Sequence, residues 1–342
     1  MHVLIAGQGL AGSLLAWKLK QRRHQITVAD DDAPGGASRV AAGLISPLFG
    51  KYLSRSWRQE TALPLAVDTY QELEKTLGIR CWYPKTIHRL LVHPQDEQTL
   101  KKKQRNPLFA RYIRGDRYVL PHASGVVSSC EGIDIVGGGF VDAGKLVAAM
   151  RTWLQEQDAW VGARIAPGEV SSTSHGVTWG GIHYDAMVLT TGWRLQEWFS
   201  EGAPVHPNRG VLLHLKLPSL RLDKILKGKH YLLPMGNGRF ILGATYLRGS
   251  TDLIQTQEAR KHLMDFLKRH IQPPHHLEKE QVGIRPTTRD HWPLLDRHPD
   301  SPAIRVLSGF GSRGLLYAPL CAKIAADHLE GAAIPDDLLY KR

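Results

Sequence analysis

The sequence predicts an α/β fold in which a doubly wound parallel sheet is interrupted by a β-rich antiparallel insertion. Three patterns indicate this arrangement. Residues 1–30 read as strand, glycine turn, helix and strand; residues 210–246 alternate as short strands with a Gly-Asn-Gly hairpin; and residues 304–329 return to strand, glycine turn and helix. Two parallel strands joined by a helix imply a doubly wound sheet. The 342 residues are enough for two interleaved domains, each with its own core.

Periodicity and glycine punctuation place the single elements. In chain order we predict a strand over 2–6, a helix over 10–22, a strand over 25–29, helices over 57–77 and 143–155, a buried strand over 184–191, a strand over 304–308 and a helix over 315–329. Asp142 precedes the third of these helices. We expect it to be the N-cap of that helix rather than a catalytic acid, because Asp side chains accept hydrogen bonds from first-turn amides.

Composition excludes several classes of protein. The apolar share of 42% and the charged share of 22% are typical of a globular protein rather than a disordered one. No stretch of about 18 uncharged apolar residues occurs, so we expect no membrane span. Cys81, Cys130 and Cys321 are widely spaced, which favours a reducing cytoplasm without disulfides. None of the 17 histidines falls in a metal-ligand spacing, so we expect no metal.

The chain is strongly basic. Lys and Arg number 44 against 32 Asp and Glu, a net charge of +12 with a pI near 9.6. Such an excess attracts polyanions, so an RNA-linked substrate is one hypothesis. The densest basic run, residues 101–105, is equally consistent with a solvated helix face.

The opening glycine motif has the context of a dinucleotide site. Gly7 permits the tight turn, Gly9 lets a pyrophosphate approach the backbone, and Gly12 packs the helix against the strand. The helix N-terminus attracts phosphate charge, and Asp30 ends the next strand about twenty residues on, where it would accept hydrogen bonds from ribose hydroxyls. An acidic strand end favours an unphosphorylated ribose, and therefore FAD or NAD rather than NADP.

Two further segments favour FAD. Residues 38–47 offer small side chains and backbone amides along which a long cofactor could lie. Residues 309–314 form a second GxGxxG between a strand and a helix, and the helix N-terminus there can stabilise the negative charge of a reduced flavin. A second nucleotide's phosphate loop is the alternative for this segment, but no acidic residue follows at the spacing that such a loop requires.

Taken in order, the motifs GQGLAG, SRVAAG, GGGFVDAGKL, VLTTGW, HYLLPMGNGRFILGAT, VGIRPTTRDHWPLL and GFGSRGLLYAPLCAKIAA resemble the D-amino-acid oxidase-like FAD enzymes, which include glycine oxidase and sarcosine oxidase. The resemblance covers nearly the whole chain. It implies a Rossmann-type, glutathione-reductase-like FAD-binding domain with an inserted β-rich antiparallel substrate domain. We expect the FAD-binding domain over 1–80, 135–205 and 280–342, and the substrate-binding domain over 81–134 and 206–279.

The resemblance also implies residue roles. Arg285 and Arg313 match the positions that hold the substrate carboxylate in glycine oxidase-like enzymes, and Tyr231 matches a substrate-side tyrosine. A guanidinium fork suits bidentate carboxylate binding; an ion pair of Arg285 with Asp290 or Asp296 is the structural alternative. FAD is expected to be non-covalent, since no Cys or His lies in 38–47 or 309–315. The expected FAD contacts are Gly7, Gly9, Leu10, Ala11, Gly12, Asp30, Asp31, Ser38, Arg39, Ala42, Gly43, Leu44, Val170, Thr191, Gly192, Trp193, Gly309, Gly311, Ser312, Arg313, Gly314 and Leu315.

The reaction implied is oxidation of a carbon next to an amine, with hydride passing to flavin N5 and the imine then hydrolysing. The ending GSRGLLYAPLCA is similar to the FAD oxidase domain of the bifunctional enzymes that make 5-methylaminomethyl-2-thiouridine in tRNA. The leading specific hypothesis is therefore removal of the carboxymethyl unit from modified tRNA wobble uridine, releasing glyoxylate. Those enzymes carry a methyltransferase domain before the oxidase, whereas this chain starts at the predicted FAD strand, so a methyl-transferring step would come from another protein or be absent.

Two alternatives stay open. The first is an oxidase or dehydrogenase of free glycine, sarcosine or D-amino acids, which would share the same arginine clamp. The second is a non-catalytic flavoprotein that binds tRNA or a protein partner. The sequence indicates neither the electron acceptor nor the oligomeric state.

Overall fold

The computed structural model describes residues 1–92, 94–121, 125–127, 131–254 and 257–339. Its strands are β1 His2–Ala6, β2 Gln25–Ala29, β3 Leu44–Ile45, β4 Trp82–Pro84, β5 Ile87–Leu90, β6 Ile113–Val119, β7 Glu131–Ile135, β8 Gly139–Val141, β9 Trp160–Val161, β10 Ser171–Thr173, β11 Gly176–Trp179, β12 Ile182–Tyr184, β13 Ala186–Leu189, β14 His206–Lys216, β15 Ile225–Lys227, β16 Tyr231–Gly236, β17 Arg239–Gly243, β18 Leu247–Arg248, β19 His276–Thr287, β20 Leu294–His298 and β21 Ser301–Ser308. Its α-helices are α1 Leu10–Gln21, α2 Ala37–Val40, α3 Gln59–Leu77, α4 Pro94–Gln104, α5 Pro107–Ala110, α6 Ala143–Glu156, α7 Gln257–His270 and α8 Gly314–Leu329.

A six-stranded sheet forms the first half of the fold, in the order β20-β21-β13-β1-β2-β9. Strands β1, β2, β9, β13 and β21 are parallel, and β20 is antiparallel to β21. Helices α1, α3, α6 and α8 share one apolar core with this sheet, while the small β10-β11-β12 meander contributes to the core on the other face. This is the doubly wound architecture that the sequence predicts.

A nine-stranded sheet forms the second half. Its order is β18-β14-β17-β16-β15-β5-β7-β6, with β19 also paired to β14, and all its pairs except β15–β5 are antiparallel. Helix α7 packs one face of this sheet through Leu263, Phe266 and Leu267. A third sheet, β3-β8-β4, contributes Ile45 and Trp82 to the core of the parallel sheet and Phe140 to a core shared with the antiparallel sheet. The expected β-rich antiparallel insertion is therefore present.

Local expectations are met in most places. Asp142 caps α6, since its Oδ1 accepts a hydrogen bond from the Lys145 amide at 3.0 Å. Residues 184–191 differ from the prediction, because they do not form one strand. The chain breaks at Asp185, whose carboxylate accepts a 2.6 Å hydrogen bond from the His2 amide, so that β12 pairs with β11 and β13 pairs with β1.

The division into two domains stays a proposal. The boundary proposed at residue 280 falls inside β19, which pairs with β14 along its length. Over the described ranges, no helix has the length and apolar character needed to cross a membrane. The same part of the chain contains no group of three or more His, Cys, Asp or Glu side chains placed to hold a metal ion.

Candidate active site

A large cavity lies between the two main sheets. Its volume is about 1290 Å³, above the range of roughly 300–1,000 Å³ that is usual for small-ligand sites. Most residues singled out from the sequence line it: Gly7, Gly9, Leu10, Ala11, Asp30, Asp31, Ser38, Arg39, Ala42, Gly43, Leu44, Thr191, Gly192, Trp193, Tyr231, Arg285, Gly311, Ser312, Arg313, Gly314 and Leu315. Gly12, Gly309 and Val170 are not part of this lining.

One end of the cavity is the β1–α1 turn. Gly9 is the N-cap of α1 and supplies no side-chain cap, and the Leu10 amide donates to the Ser38 hydroxyl at 2.9 Å. Asp30 Oδ2 accepts from the Gln8 amide at 2.7 Å, while its Oδ1 accepts from Arg39 at 2.6 Å. The turn and the acidic strand end are thus fixed to each other, as a dinucleotide site requires.

Asp31 is a second carboxylate, next to Asp30, in the part of the cavity near the β1–α1 turn. Burial alone would raise the pKa of Asp31, but hydrogen bonds from Arg194 and the Ala33 amide lower it below the ordinary value. The Arg194–Asp31 ion pair spans 2.9 Å. Sequence reasoning missed Arg194, although it follows Trp193 directly within the glycine turn after β13.

The start of α8 also lines the cavity, close to the start of α1, since a Cβ at Gly314 would lie 3.6 Å from Leu10 Cδ2. Arg313 occupies the N-cap position of α8 without a side-chain cap, and Gly314 and Leu315 in the first turn line the cavity. Its guanidinium lies 3.5 Å from the centroid of the Phe49 ring and donates to the Tyr317 hydroxyl at 3.1 Å. A positive helix end beside a cation stabilises negative charge in this part of the site.

Arg285 lies on β19 and lines the cavity. Its guanidinium donates to the Thr245 carbonyl at 3.3 Å and lies 4.7 Å from the centroid of the Tyr246 ring. Within the described part of the chain it forms no ion pair, so the expected alternative partners Asp290 and Asp296 do not neutralise it. An unneutralised guanidinium inside a cavity is suited to bind a carboxylate.

The position of Arg285 depends on Gly210. A Cβ atom at residue 210 would lie 2.3 Å from one terminal nitrogen of Arg285 and 2.4 Å from the other. The missing side chain therefore leaves the space that the guanidinium occupies. Sequence reasoning placed Gly210 only at the start of a strand and gave no indication of this contact.

Two tyrosines line the cavity near Arg285. Burial raises the pKa of Tyr231 well above its ordinary value, and the nearby Arg285 only partly opposes this, so Tyr231 is a neutral hydroxyl. Tyr246 was not predicted; its hydroxyl is 2.7 Å from that of Ser312, which links the antiparallel sheet to the loop before α8.

The residues present fit a long dinucleotide. Thr191 Oγ1 and Ser308 Oγ are buried without a hydrogen-bond partner among the described residues, and both residues line the cavity. Buried polar groups are normally paired, so these hydroxyls mark positions where a polar ligand belongs. They line the same cavity as the helix N-termini at Gly9 and Arg313.

Comparison with known proteins agrees with this geometry. Residues 2–328 match the protein family described as DAO, FAD dependent oxidoreductase. The chain belongs to this family. The cofactor of this oxidoreductase is therefore FAD, and the predictions of the family, the fold class, the cofactor and an FAD-dependent enzyme are confirmed.

Individual relatives share the whole length of the oxidoreductase. Glycine oxidase of Geobacillus kaustophilus (strain HTA426) is 26% identical over 98% of this chain and 94% of its own. The crystal structure of glycine oxidase from Geobacillus kaustophilus superimposes with a TM-score of 0.82 at 22% identity, covering 99% and 98% of the two chains. Iminodiacetate oxidase of Chelativorans sp. BNC1 gives a TM-score of 0.83 at 20% identity, covering 99% of this chain and 100% of that one.

His230 also lines the cavity. Because its pKa is lowered, we expect the free energy of unfolding to depend on pH. Burial lowers the pKa of His230 to about 4, and its Nδ1 lies 3.1 Å from the Ala244 carbonyl. The folded-state pKa is below the unfolded value, so the unfolded chain binds more protons between these two values. We expect the free energy of unfolding to fall by about 3 kcal/mol as pH drops through this window.

Denaturant unfolding at about pH 7 and about pH 4.5 tests this expectation. In the variant His230→Gln the difference between the two pH values should be smaller by about this amount, because glutamine does not titrate. His183→Gln, at an exposed histidine, is the matched control and should behave as the wild type. An unchanged pH dependence in His230→Gln would show that this side chain is not held neutral.

Proposed function

We propose that this oxidoreductase oxidises a carboxylate-bearing amine at the carbon next to the nitrogen. The observation that carries the proposal is the unneutralised Arg285 guanidinium, which shares one cavity with the loops that hold FAD. A cation fixed there can orient a carboxylate and thereby place the adjacent carbon for reaction.

Each side chain has a defined task in this proposal. Arg285 binds the substrate carboxylate, and Arg313 adds positive charge beside it. Tyr231 is neutral, so it can donate a hydrogen bond but does not act as a base. The Tyr246–Ser312 contact joins the antiparallel sheet to the loop before α8 beside Arg285. FAD, when bound, accepts the hydride that leaves this carbon.

The specific substrate we propose is the carboxymethylaminomethyl group of tRNA wobble uridine, oxidised with release of glyoxylate. This group is an N-substituted glycine, so the Arg285 clamp suits it. The net charge of +12 and the similarity of the GSRGLLYAPLCA segment to oxidase domains of tRNA-modifying enzymes support the proposal.

A second candidate substrate class is free glycine, sarcosine, iminodiacetate or a D-amino acid. The names of the relatives, glycine oxidase and iminodiacetate oxidase, favour it. Iminodiacetate carries two carboxymethyl groups on one nitrogen, so both candidates present the same reacting unit to Arg285. The third candidate is a non-catalytic flavoprotein that binds tRNA or a protein. Reduction of the flavin by an amine would exclude this candidate.

We also propose a cytoplasmic location and non-covalent FAD. Cys81 and Cys321 are buried free thiols, and burial raises the pKa of Cys81 to about 12, so it stays protonated. Unpaired thiols suit a reducing compartment. Cys130 lies outside the described residues.

Anaerobic flavin bleaching by purified enzyme tests the proposed function. Undermodified tRNA is added in one series, and glycine, sarcosine, iminodiacetate and D-amino acids in separate series. We expect rapid bleaching with the tRNA that carries the carboxymethylaminomethyl group. Bleaching by free amines alone would overturn the tRNA substrate, and the absence of bleaching by every amine would overturn the proposal as a whole.

Gly210→Ala is expected to lower kcat/KM about 10- to 100-fold while leaving FAD content and thermal stability near wild type. The new Cβ would overlap the guanidinium of Arg285, which is the flexible end of a side chain and can move away at low structural cost. The lost orientation of the carboxylate should appear in the rate. Gly168→Ala, where a Cβ meets nothing within 4 Å, is the control; equal kinetics in both variants would contradict the role of Gly210.

A further inference from the structure

One row of residues runs across the antiparallel sheet on the cavity side. Leu212 pairs with Gly243, Gly243 with Tyr231, Tyr231 with Lys227, and Lys227 with Arg89, so that five neighbouring strands contribute one residue each. Directly paired residues on adjacent strands have side chains on the same face of a sheet. Leu212, Tyr231, Lys227 and Arg89 accordingly all line the cavity.

The far end of this row is a pair of cations without a carboxylate partner. Arg89 donates to the carbonyls of Leu90 at 3.1 Å and of Lys227 at 3.4 Å, and Lys227 Nζ donates to the Gly228 carbonyl at 2.9 Å. Neither side chain is in an ion pair with any described residue. Carbonyl contacts fix the direction of both groups, and neither charge is neutralised by a direct ion pair with a described residue.

The pKa values agree with two uncompensated charges. Burial and, to a smaller extent, the positive charge of Arg89 lower the pKa of Lys227 to about 8. Burial also lowers the pKa of Arg89, and Asp96 opposes that effect only in part. Placing two like charges side by side in a cavity costs free energy that an anion between them would recover.

The surroundings are basic as well. Beyond the loops that hold the adenosine half of FAD, the charged residues lining the cavity are Lys51, Arg89, Lys227, Lys229, Asp265, Arg269, Arg285 and Arg313. Asp265 is the one acid in that set. The part of the cavity outside those loops therefore favours a ligand with more negative charge than a single carboxylate.

The separation between Arg285 and Lys227 further limits the ligands that can contact both residues. The Arg285 guanidinium lies over Gly210 on β14, and three strand spacings separate β14 from β15, which carries Lys227. At about 4.8 Å per spacing, the backbones of β14 and β15 are roughly 14 Å apart. Tyr231 on β16 lies between them, with its ring centroid 5.9 Å from Lys227 Nζ. A ligand that contacts both Arg285 and Lys227 therefore extends past Tyr231 and carries an anionic group at each end, as a nucleotide with a carboxylate-bearing substituent does.

We propose that Arg89 and Lys227 bind a phosphate group at the non-reacting end of the substrate, so that the enzyme acts on the amine of a nucleotide. The inference rests on the proposed function, because it takes the Arg285 end as the reacting end. A phosphate monoester of a free nucleotide and a phosphodiester of RNA present the same anionic oxygens to a guanidinium and an ammonium group. Either source satisfies the site.

The test measures equilibrium binding to the oxidised holoenzyme without turnover. Inorganic phosphate, uridine monophosphate, uridine and a short uridine-containing RNA are titrated separately, with acetate in excess to occupy the Arg285 clamp. We expect Lys227→Gln to weaken binding of inorganic phosphate about 10- to 100-fold, the usual effect of losing one charged hydrogen-bond donor. Lys227→Arg should retain most of the affinity, and Lys279→Gln, at an exposed lysine outside the cavity, should match the wild type.

Several results would overturn the subsite. These are equal phosphate affinity in Lys227→Gln and wild type, equal weakening in Lys279→Gln, or uridine binding as tightly as uridine monophosphate. A tighter complex with RNA than with uridine monophosphate assigns the phosphate to RNA, and the reverse assigns it to a free nucleotide. This test measures binding and does not use flavin bleaching. Failure of the phosphate subsite can therefore be distinguished from failure of the proposed amine oxidation.

Discussion

Arg285→Ala is expected to lower kcat/KM for the carboxylate-bearing amine by roughly 10²- to 10⁴-fold, or about 3–5 kcal/mol of transition-state stabilisation. The variant removes both hydrogen bonds of a guanidinium–carboxylate pair and the charge that orients the reacting carbon. Arg285→Lys should recover only part of the loss, since an ammonium group does not present the planar fork. The measurement is steady-state and anaerobic single-turnover reduction of the flavin.

Arg239→Ala is the matched control for that experiment. Arg239 lies in the same sheet, but its side chain is 64% exposed and faces Glu278 at 3.4 Å. Surface pairs of this kind contribute little to stability, so we expect wild-type kinetics. If Arg285→Ala and Arg239→Ala have the same rates, Arg285 does not bind the substrate carboxylate.

Gly12→Val is expected to abolish FAD loading and to lower the free energy of unfolding by more than about 3 kcal/mol. A Cβ at Gly12 would lie 2.0 Å from the Gly7 carbonyl oxygen and 2.7 Å from Thr190 Oγ1. Neither neighbour can move cheaply, because one is backbone in the β1–α1 turn and the other donates to the carbonyls of Ala6 and Gly7. Overpacking at such a place displaces the helix that faces the pyrophosphate.

The flavin absorbance of the purified protein and denaturant unfolding measure both effects. Gly168→Val is the control, since its side chain would enter open space. Normal flavin content in Gly12→Val would mean that α1 tolerates displacement from the turn. Loss of flavin in both variants would mean that cofactor loading is sensitive to any added bulk, not to this contact.

Features that depend on residues close together in sequence could be predicted. The β1–α1–β2 unit follows from a glycine turn between apolar runs, and the Asp142 cap follows from one residue type at one place. The break at Asp185 could not be predicted, because it depends on a hydrogen bond to the amide of His2, 183 residues away. Local periodicity carries no information about such a partner.

Contacts between residues that are distant in sequence also decide the candidate site, so they could not be predicted either. Arg285 could be singled out through a family motif, but the space it needs is provided by Gly210 on a neighbouring strand. Likewise, Lys227 and Arg89 are unremarkable in sequence and become a pair only because β15 and β5 lie side by side. Pairing between distant strands decides which charges meet, and a single sequence does not specify that pairing.

The strand order of the parallel sheet bears on how the protein is made. Strand β21 lies beside β13, which lies beside β1, and Arg22 at the end of α1 forms ion pairs with Asp327 and Glu330 at the end of α8. During synthesis the β1–α1 turn leaves the ribosome some 300 residues before that segment. The complete cavity forms only after residues 301–329 emerge, so we expect FAD capture to be a late event in the folding of this chain.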